Sequence, residues 1–409
     1  MSAPAQDERT ATLYPLHIGE IEDGAAEVGR PETGVFVSLP EPGITLIQDM
    51  QRGLTLAEVS ANFAQRYGEP PDLDDFLATL TDCGFVRPAG DEGVEAEAVA
   101  QPVGPAGPQM RGWRLLSSVP AERVAWLVSG PALVVWAMVW VAVPVLMAVR
   151  PDLIPSGTDG RLGLGVAADA VALTVLSWGL LLAHEAAHLL AVRARGCTGV
   201  LRVSNRLHLL VAETDMSAVR SLPRRQRYVP YLAGMTFTMS ALLLSLLAQL
   251  VGWDSQPIRA IGFLCLVTLL LELAFFMRTD VYYVIVTWLR LGNLMADTWQ
   301  YVGNQLARLV RRPQPYDLSS VPARELRIVR WYSLVLVLGV TIFVGQFLLL
   351  GLPLLISFVR DATAKVAAGP STAGFWDAVV LLLLAVAHFG TLGVVALRRR
   401  LRPVTQAAR

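Results

Sequence analysis

The sequence predicts an α-helical polytopic membrane protein of six transmembrane helices, preceded by a small α+β, winged-helix-like N-terminal domain. Three observations carry this expectation. Apolar residues make up 54% of the 409 residues and charged ones only 17%, a balance too apolar for an ordinary soluble protein. Six apolar stretches of spanning length follow Val124, whereas the residues before it are mixed. Basic residues, finally, fall almost entirely on one side of the stretches.

Residues 10–88 form the first expected domain. "GVFVSL" at 34–39 reads as a strand, and "LTLAEVSANFAQRYG" as a helix with Thr55 and Glu58 at capping-box spacing and Leu56, Val59 and Phe63 on one face. "DLDDFLATLTDCGFV" predicts a further helix ending at Gly84 and running into a short strand. Short helices closed by strands suggest the winged-helix-like module. Residues 89–110, rich in Pro, Gly, Ala and Glu without period, predict a flexible linker, and 111–409 the membrane domain.

Within that domain the expected spans are 124–148, 166–193, 229–252, 258–289, 331–358 and 376–397. With the N-terminus cytoplasmic, the cytoplasmic flanks hold 23 basic residues and the opposite side 5. Both termini are therefore expected in the cytoplasm. The first residues, "MSAPAQDERTATLYP", are polar, so no cleavable signal is expected. Equal numbers of basic and acidic residues, 34 each, give no net field to attract nucleic acid, and the lipid bilayer is the expected surroundings. Cys83, Cys197 and Cys265 are far apart and form no CxxC pair, which fits a reducing compartment and offers no thiolate site.

The second stretch contains "LLLAHEAAHLL", a segment in which His184, Glu185 and His188 are the only polar side chains. Residues four apart on a helix lie one above the other, so both imidazoles can ligate one Zn2+. Glu185, next along, is placed to take a proton from water that the metal has acidified, the chemistry of peptide-bond hydrolysis. Burying three such groups among apolar residues is costly unless they bind something. A third ligand is expected from "LELAFFMRTDVYY" in the fourth stretch, which offers Glu272 and Asp280. Counted along helices, His184 lies nine residues before Arg193 and Asp280 ten before Arg290, so their depths match at about 14 and 15 Å. Asp280 is thus the expected ligand. In an unbroken helix Glu272 lies about 12 Å further away, and its expected role is a hydrogen bond or ion pair, with Arg278 as a partner.

The HExxH in the second span and the aspartate in the fourth, with the span order and orientation, make residues 124–397 resemble the site-2 protease family of intramembrane zinc metallopeptidases. The resemblance implies that His184, His188 and Asp280 bind zinc and that Glu185 is the catalytic base. Two positions depart from the family pattern: Val281 stands where glycine usually follows the aspartate, and "LAGMTFTMS" has Gly234-Met235 and no downstream asparagine where a Gly-Pro pair and asparagine are usual. Thr236 and Thr238 are the candidates for an oxyanion donor, though a threonine bonded to its own helix is the ordinary outcome. "ETDMSAVRSLPRRQRYVPYLAG" and "RTDVYYV" look like bacterial peptide zinc metalloproteases associated with peptide natural products. Residues 10–88 are similar to PqqD-like elements that grip leader peptides, on the patterns "SLPEPGITLIQDM" and "DCGFV". These likenesses imply a bacterial cytoplasmic-membrane enzyme that cuts a leader or precursor peptide, recognised by strand addition to "GVFVSL". A peptide-binding export scaffold and a regulated protease of a membrane-bound signalling protein are the alternatives.

The other polar residues have simpler expected roles. "SLPRRQR" at 221–227 is a topology-setting, headgroup-facing cluster. His208 lies in a Val/Leu-rich segment able to form a hairpin, and His388, within the sixth stretch, is expected to make a bundle hydrogen bond.

Overall fold

A computed structural model describes residues 9–21, 24–31, 33, 35–87, 112–207, 209–319 and 321–400. The expected linker and His208 lie outside the described residues.

The N-terminal unit is an antiparallel sheet followed by three helices. Strands β1 (His17–Ile18), β2 (Ala25–Arg30) and β3 (Val35–Pro40) lie in that order, with Val28 opposite Val37 and Glu27 opposite Ser38. Alternate residues of β2 face inward, so Ala26 and Val28 join Ile44, Ile47, Val59, Leu80 and Phe85 in one apolar core. Helix α2 (Leu56–Tyr67) starts at the expected capping box, with the Glu58 amide donating to Thr55 Oγ1 at 3.3 Å and the Thr55 amide donating to the Glu58 carboxylate at 2.8 Å. Gly68, at φ 92°, ends it in the left-handed conformation that glycine adopts without strain. Helix α3 (Leu73–Asp82) is capped by Asp72.

Helix α1 (Glu41–Gln51), β1 and β2 go beyond the expected elements. Pro42 and Gly43 look like a turn, but proline in a first helical turn sacrifices no hydrogen bond, and the following Ile44 and Ile47 supply the buried face. The helices follow the sheet, and among the described residues of this unit the chain after α3 adds a single bridge, Leu13 to Val86, where a closing strand is expected.

Among the described residues five helices are long and apolar enough to cross a membrane, which marks a membrane protein. After the short α4 (Ala121–Val124) come α5 (Gly130–Val149), α6 (Val166–Ala194) and, beyond a hairpin, α7 (Arg224–Leu250). The expected stretch 258–289 is not one helix. It divides into α8 (Gln256–Glu272) and α9 (Asp280–Leu289), joined through a 3-10 turn at Phe275–Met277. Arg278 at the junction is left-handed, at φ 59°. The junction sequence "LAFFMRT" holds neither glycine nor proline, the usual signals of a break, so periodicity alone predicts an unbroken helix there. Helix α10 (Leu294–Leu309) follows, then α11 (Ala323–Gln346), which continues through a π-turn at Phe347–Gly351 into α12 (Leu352–Ala367). This helical run is 45 residues long, or about 67 Å, and outreaches a hydrocarbon core of about 30 Å. The last helix is α13 (Phe375–Arg400), on which His388 is exposed with its ring edge-on to Phe389 at 5.1 Å.

Between α6 and α7 the chain forms the hairpin β4 (Val200–Arg206) and β5 (Leu209–Asp215). One face places Leu201 and Ala212 against Leu189 of α6. The opposite face carries Arg202, whose guanidinium meets Glu213 at 2.9 Å and Asp215 at 3.2 Å. Thr214 on the first face donates to the Glu185 carbonyl at 3.3 Å, tying the hairpin to the middle of HExxH. A short helical turn at Ser217–Ser221 then leads to α7, and here the N-terminal unit docks. Glu27 of β2 receives Arg220 Nε at 2.8 Å and the Arg227 guanidinium at 2.7 Å, and Arg220 lies over the Phe36 ring. "SLPRRQR" thus contributes Arg227 to an interdomain contact, in addition to the charge that composition assigns it.

Candidate metal centre

Helix α6 brings His184 and His188 onto one face because they are four residues apart, and the α8–α9 break delivers Asp280 to the same point. The two Nε2 atoms are 3.2 Å apart, and Asp280 Oδ2 lies 3.1 Å from that of His184 and 2.9 Å from that of His188. All three side chains are buried, His188 to 1% exposure. Glu185 is buried between the histidines in sequence, at 7%.

Neighbours on α7 determine which ring nitrogens face the centre. His188 Nδ1 donates to the Pro230 carbonyl at 2.8 Å, since a carbonyl can only accept. Thr238 Oγ1 gives its proton to the Gly234 carbonyl at 3.2 Å and so accepts from His184 Nδ1 at 2.9 Å. In the neutral imidazoles both Nε2 atoms therefore present lone pairs. Two such lone pairs and a carboxylate oxygen converge with no donor among them, an arrangement that repels itself until a proton or a cation stands at the centre.

The donor set fits zinc. Ligands held at 2.0–2.1 Å in a tetrahedron are separated by roughly 3.3 Å, close to the 2.9–3.2 Å separations here. Nδ1 atoms held by a carbonyl and a hydroxyl are the outer contacts that orient metal-binding imidazoles. Gly234 adds a further observation: a Cβ there would stand 2.3 Å from His188 Nε2 and 2.4 Å from His184 Nε2. The missing side chain leaves open the space into which both nitrogens point. Gly234→Ala is accordingly expected to displace the histidines or push α7 away, and to lower bound zinc well below one per chain, as metal analysis of the purified variant would show.

The expected residues thus assemble: His184, His188 and Asp280 meet, with Glu185 in the same buried segment. Glu272 makes a hydrogen bond, as expected, but with a different partner and at closer range. Its Oε2 accepts the Asp280 amide at 2.7 Å, because the break between α8 and α9 removes the separation an unbroken helix imposes. The bond to Glu272 comes from the Asp280 backbone and not from Arg278. Thr238 gives its proton to its own helix and accepts from His184, so it is not free as an oxyanion donor, whereas Thr236 accepts from Trp140 Nε1 at 2.9 Å. Gly234, Pro230 and Glu272 hold roles that residue type alone does not announce. Gly234 carried a trace in the sequence, as the only glycine of α7, two residues before the first candidate threonine. Comparison of the chain with protein-family models, with curated proteins and with solved structures returned no match.

Proposed function

We propose that the chain is an intramembrane zinc endopeptidase that hydrolyses a leader or precursor peptide near the cytoplasmic face of a bacterial cytoplasmic membrane. The observation that carries the reading is the convergence of His184 Nε2, His188 Nε2 and Asp280 Oδ2 beside the opening at Gly234. In this reading His184, His188 and Asp280 hold the metal and leave one position open. Zinc, when bound, supplies Lewis acidity and brings the pKa of water close to neutrality. Glu185 accepts the proton of the attacking water and passes it to the leaving amine. Thr238 and Pro230 keep the imidazoles in the tautomer that presents Nε2. The hairpin bond to the Glu185 carbonyl fixes the helix turn that bears the base.

Six spans fit this reading, the fourth being assembled from α8 and α9 around their break; irregular backbone at membrane depth is tolerated where protein or a water-filled cavity surrounds it. In this reading both termini lie in the cytoplasm, the orientation that the one-sided basic residues favour. Residues 10–88 serve as a PqqD-like recognition domain: among the described residues β3 pairs only with β2, which leaves its outer edge for a peptide strand. Docking through Glu27 keeps that edge beside the membrane domain.

Deleting residues 1–110 tests the assignment of the domain. Processing of a full-length precursor should fall by about 100-fold in kcat/KM, the scale on which tethering raises local concentration, while a leaderless fragment should be cut as before. Equal slowing of both substrates, or of neither, contradicts leader recognition.

A further inference from the structure

Glu272 is a partly buried carboxylate beside the centre for which the peptidase chemistry has no use. We infer that it is a positioning residue that fixes the metal ligand Asp280 by capping the helix that carries it, an inference that rests on the metallopeptidase reading. Asp280 opens α9, and the first amides of a helix have no partner within it. The preceding residue, Thr279, stands in the capping position but offers no side-chain cap. Its hydroxyl points backward instead and donates to the Glu272 carbonyl at 2.6 Å. The cap comes from eight residues upstream, where Glu272 Oε2 receives the Asp280 amide at 2.7 Å.

These two bonds close the segment 272–280 into a loop whose interior contains the 3-10 turn and the left-handed Arg278. The consequence is directional. The amide of Asp280 is held, so its Cα–Cβ bond is held, and Oδ2 is kept within 3.1 Å of both imidazole nitrogens. Glu272 thus acts on the metal through the backbone of a ligand, without itself ligating.

The role requires an acceptor oxygen at that reach and no charge. Glu272→Gln keeps such an oxygen, Glu272→Ala removes it, and Glu272→Asp is one methylene too short. The experiment is competition of Zn2+ between a chromophoric chelator and the full-length, detergent-solubilised protein, together with the visible spectrum of the Co2+-substituted forms. Glu272→Ala should weaken zinc binding by about 10- to 100-fold, the cost of losing an outer partner of a ligand, and should shift the Co2+ bands. Glu272→Gln should restore both to near wild-type values. Wild-type affinity in Glu272→Ala overturns the inference, as does an equal loss in Gln and Ala, which would make the carboxylate a ligand or a charge balance. Should the Ala variant not fold, Glu272→Asp decides: weakened binding supports the role and wild-type binding overturns it. Wild-type protein that binds no zinc would overturn the metallopeptidase reading and this inference with it, an outcome distinct from wild-type protein that binds zinc beside an unaffected Glu272→Ala.

Discussion

Glu185→Ala protein is expected to hold zinc as wild type does and to cleave its peptide about 100- to 10,000-fold more slowly, the range that a positioned general base contributes. The two properties separate because Glu185 supplies none of the three converging atoms, while its backbone carbonyl, bonded to Thr214, survives the substitution. Zinc content and turnover measured on one preparation check both halves. Loss of zinc in this variant would mean that Glu185 helps build the centre, and the role of base would have to be reassigned.

Asp280→Ala should produce the opposite pattern, losing the metal and the activity together. Removing a ligand should weaken zinc binding by more than the roughly 100-fold that follows loss of an outer partner. It would also leave the lone pairs of His184 and His188 facing each other at 3.2 Å with one fewer anionic group to hold a cation. Glu272→Gln serves as its control, because the neighbouring carboxylate touches the Asp280 backbone and not the convergence point. If zinc survives in Asp280→Ala and is lost in Glu272→Gln, the ligand role belongs to Glu272.

The chemical core of the site was legible in the sequence because it depends on short-range geometry: HExxH places its side chains by helix periodicity alone, wherever the helix runs. The choice of Asp280 over Glu272 agrees with the geometry, but the depth argument behind it assumed a continuous helix from 258 to 289. The break at 273–279 has no glycine or proline to announce it, and it depends on bonds from Thr279 and Asp280 back to Glu272 that form only once the chain has folded. Thr238 and Pro230 were hidden for a related reason. Their part is to meet imidazoles from a helix more than forty residues away in sequence, and no local pattern encodes that meeting. In the N-terminal unit, the capping box fixed the start of α2, whereas α1 was obscured by a Pro-Gly pair that suits a first helical turn as well as a loop. The docking of Glu27 on Arg220 and Arg227 pairs charges nearly two hundred residues apart, beyond what charge counting can reveal.

The claim on which the rest depends is that three side chains from two separate helices hold one metal ion. Metal analysis of the purified full-length protein beside its His184→Ala variant tests it most directly. The account predicts one zinc per chain in the wild type and a large loss in the variant, because one of the three converging donors is gone. Wild-type protein free of metal, or a His184→Ala variant that keeps its full complement of zinc, would contradict it.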